Sequence, residues 1–252
     1  MNQSLSGKTA IVTGASSGIG RASAIRLAEL GAAVVINARR KSRLDEVISQ
    51  ITTIGGKALA VAGDASVTAD LDSLLDRTLN WEGGGCKVDI VVVNAGRGLA
   101  GGVLNSDESQ WRQLYEINVL GATHLMRIAG QYMSRRKMGD IVAIGSVAGR
   151  NISPISGLYG SSKFAIAGIV EGLRREVCQS GVRVSLVMPG VVVSGFQAVA
   201  GYGEEDFGKL IAQIGKLLEP KDIAEGICWL LTLPPHVNVN EIMIRPTGQT
   251  YP

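Results

Sequence analysis

The sequence is poor in metal-binding chemistry. It holds three cysteines and two histidines in 252 residues. Cys86, Cys178 and Cys228 stand far apart, no Cys-x-x-Cys pair occurs, and only His124 and His236 are there to join them. That set has no zinc-ligand spacing, so no metal is expected. An odd number of scattered cysteines gives no disulfide framework either, and fits buried small apolar residues in a reducing compartment. No apolar run approaches the roughly 18 residues of a membrane span. The opening MNQSLSGK has no apolar signal core, and a cytoplasmic protein with no membrane partner is expected. The net charge of +3 is small and dispersed, which argues against a nucleic-acid partner. Low-complexity runs and repeats are missing as well.

What remains suits one globular enzyme domain. Hydrophobic residues make up 46% and charged residues 19% of the chain, enough for a substantial core. A single domain over 1–252 is expected. Seven short apolar runs read as strands: 9–13, 32–37, 57–63, 88–94, 139–146, 182–189 and 241–245. They are rich in Val, Ile and Ala and lack polar alternation, the pattern of strands covered on both faces. Helix-length segments at 21–31, 41–56, 67–82, 108–136 and 158–179 lie between them. Strand–helix alternation predicts a Rossmann-type doubly wound α/β domain, with a mostly parallel seven-stranded sheet and helices on both faces. In such sheets ligands bind beyond the carboxyl ends of the strands.

The first strand runs into TGASSGIG, 13–20. Gly14, Gly18 and Gly20 fall where a strand turns into a helix, and the exposed N–H groups of a helix start favour a pyrophosphate. The spacing is GxxxGxG rather than GxGxxG. Further along, LYGSSK (158–163) sets Tyr159 and Lys163 four apart, one helical turn, on the same face.

TGASSGIG, Asp64 in GDAS, Asn94-Ala95-Gly96, Asn118 in INVLG, Ser146 in IGSVAG, Tyr159 and Lys163 in YGSSK, and Pro189-Gly190 follow one another after successive strands. In this order and spacing the chain resembles the short-chain dehydrogenase/reductase family along nearly its whole length. One departure is Val93 where the family often has a first asparagine before Asn94. The resemblance implies a cofactor site of Gly14, Ser16, Ser17, Gly18, Ile19 and Gly20 with Asp64, Ala65, Asn94, Ala95 and Gly96. It also implies catalysis by Asn118, Ser146, Tyr159 and Lys163.

The second strand ends in INARRKSR. Ala38 stands where the family's NAD-selective aspartate would be, and Arg39 follows. A guanidinium there suits a 2′-phosphate, with Arg40 assisting, so NADP(H) is the expected cofactor. Ser16 and Ser17 can donate hydroxyl hydrogen bonds to the same phosphate.

Hydride arriving at a carbonyl carbon leaves an alkoxide that needs a proton. A free tyrosine titrates near ~10, too high for ready exchange at neutral pH. Lys163 and an oxidised nicotinamide both favour phenolate, so the Tyr159 pKa is expected to fall. Ser146 Oγ can hydrogen-bond the same substrate oxygen. The family pattern gives Lys163 the nicotinamide ribose as well, and gives Asn118 a water that relays protons. It places Pro189 and Gly190 beneath the nicotinamide, with the Val192 backbone and Ser194 on the carboxamide. A substrate lid is expected at about 194–216. Arg97 and Arg150 are candidate grips for a substrate carboxylate.

The tail TLPPHVNVNEIMIRPTGQTYP resembles the branch holding serine and 3-hydroxy acid dehydrogenases and an antibiotic-pathway aldehyde reductase. That implies a small carbonyl or alcohol substrate and a homotetramer. Two alternatives stand beside this reading. A 3-oxoacyl-thioester reductase would need a basic docking patch, for which Arg135-Arg136-Lys137 and Arg174-Arg175 offer pieces. A noncatalytic NADPH-binding scaffold or sensor would need no proton donor.

Overall fold

A computed structural model describes residues 4–202, 208 and 211–251. Seven strands form one sheet: β1 (Thr9–Thr13), β2 (Ala33–Ala38), β3 (Ala58–Ala62), β4 (Ile90–Val93), β5 (Gly139–Ile144), β6 (Val182–Pro189) and β7 (Glu241–Ile244). Their order is β3-β2-β1-β4-β5-β6-β7, and every pairing is parallel. The expected Rossmann-type fold is present, and its sheet is wholly rather than mostly parallel.

Helices cover both faces, and strand alternation divides the core between them. Ala10, Val12, Val34, Ile36, Val92 and Val142 pack against α1 (Gly18–Glu29), α2 (Lys41–Thr53) and α8 (Pro220–Thr232). Ile11, Val35, Val91, Val93 and Ala143 face the other way. They meet α3 (Thr68–Leu79), α5 (Ala122–Arg136) and α6 (Gly157–Val177). Each neighbour along a strand thus buries an apolar side chain on the opposite face. This explains the absence of polar residues from these runs.

Two helical features depart from the expectations. The segment expected as one helix over 108–136 is broken. A 3₁₀ turn at Glu108–Gln110 leads into α4 (Trp111–Tyr115), then a π-helical stretch at Glu116–Gly121, then α5. Second, α8 was not among the expected helices. Its start has Pro220 in the first turn and a reciprocal box between Glu219 and Asp222, both strong start signals.

Strand order reverses between β1 and β4. β2 and β3 extend to one side, β5 to β7 to the other. The carboxyl ends of β1 and β4 therefore open a crevice, and the main cavity lies there.

Candidate active site

The cavity has a volume of about 700 Å³. At one end lies the turn from β1 into α1. Gly14 has φ +65° and Gly18 φ +54°, conformations that favour glycine. A Cβ on Gly14 would stand 2.9 Å from the Ala95 backbone, and one on Gly20 would stand 2.5 Å from the Gly14 carbonyl oxygen. Asn94 clamps this turn. Its Nδ2 donates to the Thr13 carbonyl at 2.8 Å, while Thr13 Oγ1 accepts the Asn94 and Ala95 N–H groups, each at 3.1 Å. One asparagine thus ties β4 to the glycine turn, although Val93 replaces the first asparagine of the family pattern. Ser17 begins α1 without a side-chain cap, so the first N–H groups of the helix have no capping acceptor. Gly14, Ser16, Ser17, Gly18 and Ile19 all line the cavity. These residues fit a pyrophosphate.

Arg39 and Arg40 line the cavity beyond β2. Both are exposed, and among the described residues neither has a carboxylate partner. Their neighbours differ: Lys41 is paired with Asp45 at 2.8 Å and Arg43 with Glu46 at 3.1 Å. Lys41 therefore occupies the first carboxylate after β2, and the two cavity arginines keep their donors. Asp64 and Ala65 line the same end. Asp64 Oδ1 accepts from Ser66 N at 2.9 Å and Ser66 Oγ at 2.8 Å, so it stabilises its own loop rather than capping α3.

At the other end Ser146, Tyr159 and Lys163 converge. All three are buried. Ser146 follows β5 and caps a 3₁₀ turn, its Oγ accepting the Ala148 N–H at 3.1 Å. Tyr159 and Lys163 lie one turn apart on α6, and the ammonium stands 5.8 Å from the phenol ring centroid. Lys163 Nζ donates to the Ile144 carbonyl at 2.9 Å. Burial lowers the lysine pKa to about 8.

Taken together, the protein's own groups raise the Tyr159 pKa, and the nicotinamide's share of the expected fall lies outside them. Burial raises it above the ordinary tyrosine value, a hydrogen bond with Ser146 opposes the rise, and neighbouring Tyr202 adds to it. Lys163 donates its hydrogen bond to the Ile144 carbonyl rather than to the phenol, so Ser146 alone offsets part of the phenol's desolvation.

Asn118 makes a set of hydrogen bonds that the sequence did not show. It lies in the π-helical stretch. Its Oδ1 accepts the Arg97 N–H at 2.8 Å; its Nδ2 donates to the Arg97 carbonyl at 2.9 Å and to Ser162 Oγ at 3.1 Å. The side chain is spent on holding the loop after β4 against α6.

Pro189, Gly190, Val192 and Ser194 line the cavity after β6. The Val192 carbonyl accepts from Gln197 Nε2 at 2.7 Å, and Ser194 Oγ accepts the Phe196 N–H at 3.3 Å. Part of the expected lid, 203–207 with 209 and 210, lies outside the described residues. Its first part is α7 (Phe196–Ala200). The Phe196 ring lies 5.4 Å from that of Tyr159, and the Ala200 carbonyl accepts the Ala100 N–H at 2.8 Å.

The family model described as short chain dehydrogenase matches residues 8–204. The chain belongs to this family. An oxidoreductase of Staphylococcus epidermidis, described as uncharacterized, is 34% identical over 239 residues, covering 95% of this chain and 97% of its own. A solved structure of the closed form of serine dehydrogenase complexed with NADP+ matches at 30% identity. Its TM-score is 0.86 and 96% of each chain is covered. A 7α-hydroxysteroid dehydrogenase complexed with NADH and 7-oxo glycochenodeoxycholic acid matches at 30% identity. Its TM-score is 0.87, with 98% of this chain and 96% of that one covered. This protein is thus an oxidoreductase of the short-chain dehydrogenase family.

In this short-chain dehydrogenase the two substrate-arginine candidates part company. Arg97 lines the cavity. Arg150 is paired with Glu241 across the edge of the sheet and is not among the lining residues. Among the lining residues that the sequence did not single out are Asn37, Tyr202, which falls within the expected lid, and Gln249. Asn37 ends β2 with its Nδ2 on the Val61 carbonyl at 3.0 Å, leaving a buried Oδ1 without a partner. Tyr202 borders Tyr159. Gln249, buried near the C-terminus, accepts the Val191 N–H on its Oε1 at 2.9 Å. The GQ pair after a short edge strand is its only mark in the sequence.

Proposed function

We propose that the protein is an NADPH-dependent carbonyl reductase, transferring hydride between the nicotinamide and a small aldehyde or ketone. The observation that carries this reading is the placement of Ser146, Tyr159 and Lys163 in one cavity with a glycine turn and two arginines that have no carboxylate partner among the described residues. NADPH supplies the hydride. Tyr159 delivers the proton to the carbonyl oxygen as charge develops there, and Ser146 Oγ donates a hydrogen bond to the same oxygen. Lys163 would hold the nicotinamide ribose, and its lowered pKa eases proton exchange with the phenol. Asn118 acts as a positioning residue that fixes Arg97 and Ser162.

Arg39, with Arg40, supports the 2′-phosphate reading. The NADH complex of the hydroxysteroid dehydrogenase means that family membership does not choose the cofactor, so the choice rests on these arginines. The oxoacyl-thioester alternative has less support, because three of the five basic residues of its docking patch are already engaged. Arg136 binds the Val88 carbonyl and Asp89, and Arg174 and Arg175 share Glu171. A scaffold alone would have no use for the buried Tyr159.

The test is oxidation of NADPH and of NADH against aldehydes, ketones, β-keto acids and oxoacyl thioesters. Turnover on a small carbonyl with a higher kcat/KM for NADPH than NADH is expected. NADH preference, or turnover confined to thioesters, contradicts the reading.

A further inference from the structure

Among the described residues, the cavity lining holds four cations, Arg39, Arg40, Arg97 and Lys163, against a single carboxylate, Asp64. Asp64 lies at the Arg39 end and is engaged by Ser66. Lys163 is held on the Ile144 carbonyl. Arg97 is paired with no carboxylate among the described residues.

Among the described residues, its guanidinium is held in place by neutral groups only. Nη1 donates to Gln113 Oε1 and Nη2 to Gln110 Oε1. Its Nε is buried and has no hydrogen-bond partner. Two glutamine amides fix the plane of the fork without cancelling its charge. Asp107 feels that charge but is already engaged. Its oxygens are taken by Gln110 Nε2 at 2.7 Å, Ser109 Oγ at 2.7 Å and Ser109 N at 3.0 Å. The backbone of Arg97 is pinned as firmly, by both faces of the Asn118 amide. A half-buried cation held by neutral groups keeps its affinity for an anion. The same cavity is also lined by hydroxyls and apolar groups: Ser146, Ser153, Ser156, Ile155, Phe196 and Tyr202.

We infer that Arg97 is the specificity residue for a substrate carboxylate, so that the preferred substrates are oxo acids or the corresponding hydroxy acids. This rests on the reductase reading above and names its substrate class. The same fork chemistry would accept a cofactor phosphate, and the experiment separates the two.

Oxo acids with the keto group at the 2-, 3- or 4-position are compared with their methyl esters, which keep the carbonyl and lose the charge. The wild type is expected to favour at least one acid over its ester. In Arg97→Met the ratio of kcat/KM for that acid to its ester should fall roughly a hundredfold. Arg97→Lys, which keeps the charge but not the fork, should fall between the two, and its melting temperature checks that the loop still folds. Equal losses on acid and ester, or no preference in the wild type, overturn the inference. A parallel loss of NADPH affinity, read by fluorescence titration, also overturns it and gives the anion to the cofactor. Calorimetric binding of the acids and esters to the NADP+ complex needs no turnover. Arg97-dependent binding of acids without reduction would sink the reductase reading alone, and no Arg97-dependent difference in binding would sink the inference.

Discussion

At the scale of the residue, Lys163 joins fold energetics to chemistry. Its ammonium is buried on a single backbone carbonyl, and its pKa falls from 10.5 to about 8. Below pH 8 both folded and unfolded chains hold the proton, and the burial penalty is fully present. Between about 8 and 10.5 the folded chain releases it first. The unfolded chain then binds more protons, so stability rises with pH through that window. Against a Lys163→Met reference, wild-type stability should gain on the order of 3 kcal/mol between pH 7 and the top of the window. Denaturant unfolding of both proteins measures it, and a gap that stays flat with pH would mean that the ammonium is solvated.

The sequence made this residue visible, and not its setting. Tyr159 and Lys163 one turn apart on α6 follow from their spacing. The direction of the Tyr159 shift does not, because it depends on burial and on where the lysine proton points. The same holds for the arginines. Composition places Arg39, Arg97 and Arg150 near strand ends alike. Only the fold reveals that Glu241 from β7 takes Arg150 while Arg97 meets two glutamines.

At the scale of the element, the parallel sheet was the most legible part. Apolar runs without alternation can be covered only on both faces, and all seven strands lie where those runs are. The π-helical stretch at Glu116–Gly121 was hidden, because hydrophobic periodicity blurs a single inserted residue. Its end explains Gly121. A Cβ there would strike the Ala65 carbonyl oxygen, which belongs to backbone and yields little. Gly121→Ala should cost about 1–3 kcal/mol, a fall of roughly 2–12 °C in Tm for a chain of this size. It should also weaken NADPH binding by displacing the loop of Asp64 and Ala65. A thermal melt and a cofactor titration check both, and an unchanged Tm would show that α5 and this loop are not in contact. The C-terminal segment shows the same limit. Gln249 reaches the turn after β6 only because β7 lies beside β6, a proximity that chain position does not suggest.

At the scale of the whole molecule, cofactor choice appears as stability. A ligand at a hundred times its Kd adds about 2.7 kcal/mol to the folded state, or roughly 5–11 °C in Tm. NADPH should therefore raise Tm well above NADH at equal concentration. Arg39→Asp should abolish most of that difference while leaving the NADH shift in place. A wild type that responds equally to both cofactors would remove the 2′-phosphate from the account. No helix among the described residues is long and apolar enough to cross a membrane.

The central claim is that a buried phenol supplies the proton in an NADPH-dependent carbonyl reduction. Its most direct test is single-turnover NADPH oxidation by Tyr159→Phe beside the wild type, on the best carbonyl substrate, with NADPH binding measured in the same samples. The account expects NADPH to bind the variant as it binds the wild type, and turnover to fall by about 10²-fold or more. Turnover kept within a fewfold, with NADPH bound, would contradict it.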